Sequence, residues 1–120
     1  MSRQLSFTKN ENLVLPHFRF NISRAESTED VKKFFVYAVQ ELFDGIFNKD
    51  LSMEYEDIEL SIDKKPSYSL SQKIVSQTMF KEVWEESDLS RVISRLADTA
   101  EHRYKHLKKS PEKTDQKIRM

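Results

Sequence analysis

His102 and His106 stand four residues apart in a stretch of helical period, so both imidazoles share one face and could enter the shell of a metal ion. A bound ion needs a third donor. Glu101 points off that face and His17 is distant in the chain. The pair therefore reads as two solvent-facing histidines on a basic helix, and no metal is expected.

The same segment carries Arg91, Arg95, His102, Lys105, His106 and Lys109 along its polar side. A row of cations spaced to meet phosphates is the electrostatic footprint of nucleic-acid binding. Leu89 to Leu96, following a helix and a tight turn, has some of the character of a recognition helix. Against this, the turn holds no glycine, and Asp88, Asp98 and Glu101 interrupt the bases. The chain as a whole balances 20 basic against 20 acidic residues, which weakens a phosphate partner further. A nucleic-acid regulator using Arg91, Arg95, His102, Lys105 and Lys109 is thus the alternative function.

Glu54, Glu56, Asp57, Glu59 and Asp63 form an acidic stretch that could serve acid–base chemistry or a divalent cation. Catalytic carboxylates must converge from different elements and be desolvated to separate their pKa values. Alternate carboxylates on one strand point into water together, so a solvated strand face is expected. Serines at 67, 69, 71, 76, 87, 90 and 94 occupy no nucleophile elbow, and the single glycine, Gly45, could form neither that elbow nor a phosphate-cradling loop. The absence of cysteine removes disulfides, thiolate metal sites and thiol nucleophiles. No catalytic residue and no cofactor are expected.

Tyr68, Met79, Phe80 and Trp84 are a different kind of feature. Phe80 falls off the main apolar face of its helix, beside Trp84 one turn on. Aromatic residues outside a core stripe mark partner surfaces, where tryptophan and tyrosine are common anchors. The expected function is a non-catalytic protein-binding or adaptor module using Tyr68, Met79, Phe80 and Trp84, with a symmetric homodimer through the helical hairpin as the working assembly.

Those residues must be positioned by a small set of elements. Val31, Phe34, Phe35, Ala38, Val39, Leu42, Phe43 and Ile46 recur at three- and four-residue spacing and predict a long central helix from Ser27 to Asn48. Ser27 or Thr28 is its expected cap, with Glu29 and Asp30 suiting the positive end of the helix dipole. Val36, Tyr37 and Phe47 widen the apolar stripe, so neighbours should cover this helix on more than one side. Pro16 favours an extended entry, and His17 to Ile22 alternates strictly, which predicts a half-buried strand with Arg19 facing the acidic strand. Leu51, Met53 and Tyr55, then Ile58, Leu60 and Ile62 on the opposite parity, predict a second strand, bulged if it begins at 51 and otherwise confined to 56–63, and parallel to the first if the two lie side by side. Ser69 or Ser71 should cap a second helix carrying Leu70, Ile74, Val75, Met79, Val83 and Trp84. A third helix follows Asp88 with Leu89, Val92, Ile93, Leu96, Ala97, Ala100, Tyr104 and Leu107.

The expected architecture is α+β: a two- or three-stranded sheet packed on a long central helix, then a C-terminal helical hairpin, in the order β-α-β-α-α. Residues 1–12 are expected as a mobile N-terminal segment, 13–109 as one α+β domain and 110–120 as a disordered basic tail. No apolar run reaches the roughly 20 residues of a membrane span. The first residues lack the apolar stretch of an export signal, so no membrane partner and a cytoplasmic location are expected, and the sequon Asn21-Ile22-Ser23 is read as coincidental.

Overall fold

Helix α2 (Thr28–Phe47) is the element on which the others pack, as its periodicity requires. Ser27 caps it, its hydroxyl accepting the Asp30 N–H at 3.1 Å. Asn48 ends it in the left-handed region at φ 53°, a conformation asparagine tolerates better than most residues. Val31, Phe35, Val36, Ala38, Val39, Leu42, Phe43 and Phe47 are all buried. Tyr37 is not; it stays half exposed, with its ring edge-on to Tyr55. The structure, a computed structural model, describes residues 6–109.

The expected first strand is instead part of helix α1 (Thr8–Ser23). Val14, Phe18 and Ile22 are buried at helical spacing together with Glu11, whereas Phe20, which the alternation placed inside, is 56% exposed. Pro16 lies within this helix and does not produce an extended entry. The helix begins at Thr8, inside the stretch expected as a mobile lead, and the expected basic tail lies outside the described residues. Arg19 consequently sits on α1 and does not oppose an acidic strand.

What makes α1 a helix is long-range packing. Its buried side docks on α2 and on helix α5 (Leu89–Lys109). Glu11, only 5% exposed, accepts two hydrogen bonds from the Arg95 guanidinium, from Nε at 2.9 Å and from Nη2 at 2.7 Å. At the far end Arg103 donates to the carbonyls of Ser23 and Ala25 at 3.2 and 2.9 Å, satisfying groups a helix terminus leaves open. At the near end the Asp88 carboxylate accepts the Phe7 N–H at 2.8 Å.

The sheet has two strands, β1 (Ile58–Leu60) and β2 (Tyr68–Leu70), paired antiparallel. Ile58 lies opposite Leu70, Glu59 opposite Ser69 and Leu60 opposite Tyr68. This hairpin replaces the parallel crossover expected from the sequence, and β2 occupies residues expected at the start of a helix. The expected second helix is divided into α3 (Gln72–Val75) and α4 (Thr78–Glu85). Ser71 stands at the N-cap of α3, but its hydroxyl donates to Asp57 at 2.7 Å and not to the helix. Between α3 and α4, the Gln77 amide accepts from the Ser52 N–H at 3.0 Å and donates to the Ser52 carbonyl at 2.7 Å, spending the break on holding the loop after α2.

Helix α5 matches its expected stripe: Leu89, Val92, Ile93, Leu96, Ala97 and Ala100 are buried. The mixed α and β class is as expected, while the element order, two helices before any strand, is not. Among the described residues, no helix is long and apolar enough to cross a membrane.

Candidate functional site

Strand β2 and helix α4 diverge after the short α3 and leave a cleft of about 290 Å³ between them. Pro66, Tyr68, Ser69 and Leu70 line one side; Val75, Phe80, Lys81, Trp84 and Glu85 line the other. Three of the four residues singled out as partner-binding therefore meet here: Tyr68, Phe80 and Trp84. Met79, one position before Phe80 on α4, is exposed and takes no part in the lining.

Their roles differ. Phe80 is 2% exposed and belongs to the core, edge-on to Phe43 at 5.7 Å and tilted against Phe47 at 6.1 Å. Its expected exposed position off the helix stripe is corrected by α2, whose C-terminal aromatics come up beneath it. Trp84 stacks on the outer side of Phe80, with centroids 5.2 Å apart and planes at 26°, and remains half-buried at the cleft. Tyr68 is the floor, and burial pushes its phenol up, against a hydrogen bond with Ser94 that lowers it. Lys81 and Glu85, one helical turn apart, are the charged members of the lining, and neither forms an ion pair among the described residues.

The basic row of α5 is divided by its neighbours. Arg95 is held by Glu11, which raises its pKa mainly through the hydrogen bond. Lys105 is 2.9 Å from Asp63, and that bond raises its pKa too. Arg91, His102 and Lys109 stay exposed. Of the six cations expected to face a phosphate backbone, two are thus committed to carboxylates of this chain. His102 and His106 are both exposed, and no group of three metal-binding side chains occurs among the described residues.

The acidic stretch does structural work. Asp57 is held below the usual carboxylate range, first by the Ser71 hydroxyl, then by the Glu54 N–H, with Lys73 adding to it. Asp63 and Glu101 border a polar depression of about 400 Å³ that also holds Asp98, Lys64, Lys65, Ser67, Ser94 and Lys105. Both oxygens of Glu101 are used there, one accepting the Asp63 N–H at 2.7 Å and the other the Ser67 hydroxyl at 3.4 Å. These bonds pin the β1–β2 turn onto α5.

A second exposed apolar region lies along α1 and α2, where Leu13, Phe20 and Tyr37 face solvent and His17 sits 3.7 Å from Glu41. Phe20 falls in the His17–Ile22 alternation, which turns it inward, whereas the helix turns it out. Helical spacing from Leu13 through His17 to Phe20 was the signal that could have found them.

No family model matches the chain, and neither curated proteins nor solved structures yield a match.

Proposed function

We propose that this protein is a non-catalytic binding module that docks another protein in the cleft between β2 and α4. The observation that carries the reading is Trp84, stacked on a core phenylalanine and half-buried at the rim of the cleft. A large aromatic ring held rigid by the core loses little entropy when a partner covers it, which is why such residues dominate interface energetics. The cleft is at the small end of ligand pockets, of a size for one or two partner side chains and not for a cofactor. Its lining is mainly apolar, and its ionisable members, Lys81, Glu85 and the buried Tyr68 phenol, do not form a hydrogen-bonded acid–base pair.

Nucleic-acid binding through α5 remains the alternative proposal, on Arg91, His102 and Lys109. Affinity capture from native extract with wild-type protein, Trp84→Ala and Arg91→Ala separates the two. The binding-module reading expects a partner lost with Trp84→Ala and retained by Arg91→Ala. Capture that Trp84→Ala leaves intact, or that fades steeply with added salt and with Arg91→Ala, would overturn it. A second copy of the chain as the partner is read out by light scattering across a wide concentration range, where wild type would show a rising mass and Trp84→Ala would not.

A further inference from the structure

We propose that the occupant of the cleft is an extended peptide segment of the partner, added to β2 as a third strand. This deepens the binding-module reading and rests on it. The ladder between the strands fixes which backbone groups are spent. Ser61 N–H donates to the Ser67 carbonyl at 2.7 Å and Ser71 N–H to the Asp57 carbonyl at 2.8 Å. With Glu59 opposite Ser69, this alternation makes Glu59 and Ser69 the inner hydrogen-bonded pair. The N–H and C=O groups of Tyr68 and Leu70 therefore point to the other edge, away from β1, and find no hydrogen-bond partner among the described residues.

That open edge belongs to the same two residues that line the cleft, with Trp84 across it on α4. Tyr68 is nearly buried, and a buried backbone group without a partner is costly, so the edge is a template for another backbone. Strand addition answers it: main-chain hydrogen bonds supply affinity, and alternate side chains enter the flanking pocket. The charges refine the occupant. Lys81 and Glu85, unpaired and one turn apart beside the apolar lining, call for an apolar anchor residue flanked by one acidic and one basic residue.

The probes are two capped heptapeptides of threonine and valine with a central leucine, flanked by glutamate and lysine in one order or the other. Each has two twins, N-methylated on alternate residues of one edge or of the opposite edge. Binding is followed by the fluorescence of Trp84, the chain's single tryptophan, and by the amide signals of Tyr68 and Leu70. One peptide order should bind, and its twin methylated on the pairing edge should bind roughly thirtyfold more weakly, the worth of two net hydrogen bonds. The twin methylated on the other edge should bind as the parent does. In the protein, Leu70→Pro removes one outward N–H and leaves the ladder through Ser69 in place, so it should weaken the parent peptide while circular dichroism stays that of wild type. Equal binding of parent and both twins would overturn strand addition and leave a side-chain pocket, with the module reading intact. Binding by none of the peptides to folded wild-type protein would also overturn it, whereas failure of the module reading shows separately as capture indifferent to Trp84→Ala.

Discussion

Removing Arg95 should damage this protein more than removing its partner Glu11, although both changes break the same two hydrogen bonds. The Glu11 side chain is 7% exposed and that of Arg95 51%. In Arg95→Ala the carboxylate is left between α1 and α5 with neither partner nor water. Breaking a buried ion pair from that side costs about 3–5 kcal/mol, and the open outer side of this pair brings the expectation to about 2–4 kcal/mol. In Glu11→Ala the guanidinium can swing into solvent, so only the charge-assisted bonds are lost against their solvated state, about 1–2 kcal/mol. The double change Glu11→Met with Arg95→Met puts apolar volume in place of both charges and should return to within about 1 kcal/mol of wild type. Urea unfolding monitored by circular dichroism gives the three midpoints, with an unchanged slope as the check that the transition stays two-state. Equal, small losses for both single variants would refute the argument, because they would show Glu11 to be hydrated in solution and α1 to be held by its apolar residues alone.

Phe80→Ala should cost about 3–5 kcal/mol by opening a cavity against Phe43 and Phe47, whereas Trp84→Ala should cost about 1–2 kcal/mol, both read from chemical denaturation. Gly45→Ala should stabilise by about 0.5–1 kcal/mol: a Cβ there meets only Asn10 Nδ2, at 3.4 Å, and alanine is the better helix former; a loss of thermal midpoint would contradict this. Asp57, with its folded pKa lowered, contributes stability that is fully present above the ordinary aspartate value near 3.9 and is lost as pH falls through the folded value. The deficit of Asp57→Asn should therefore be constant at neutral pH and shrink in acid, measured by urea midpoints at several pH values. Lys105, whose pKa is raised by Asp63, works in the opposite sense: its contribution is fully present below the unfolded lysine value and is lost as pH rises through the folded value, so the deficit of Lys105→Met should shrink in alkali, again read from urea midpoints.

The tryptophan side of the cleft was legible in the sequence, but the cleft was not. Tyr68, Phe80 and Trp84 read as candidate anchors, Phe80 off the apolar stripe of its helix and Trp84 on it, and the three do meet. Met79 had the same credentials and faces away, because adjacent residues on a helix point about 100° apart and only packing against α2 decides which of the two turns inward. The open edge of β2 could not be read at all, since residues 68–70 carry too little pattern to separate a three-residue strand from a helix start. Arg95 and Lys105 looked like free cations because their carboxylate partners, Glu11 and Asp63, are remote in sequence.

The order of residues alone determined α2 and α5, because each repeats its apolar face over five turns or more and needs no outside information to choose between periods. It also determined where α2 begins, since Ser27 makes its capping bond within its own turn. Tertiary structure decided α1: eight residues around Phe18 satisfy a two-residue and a helical period about equally well, and the choice fell to the packing of Val14, Phe18 and Ile22 on α2 and α5, with Arg95, 84 residues away, satisfying Glu11 on the same side. It decided the β1–β2 hairpin and the break in the following helix in the same way, through bonds from Asp57, Ser52 and Glu101. Local periodicity outweighs everything where it is long; where it is short, the winning conformation is the one whose polar groups find distant partners.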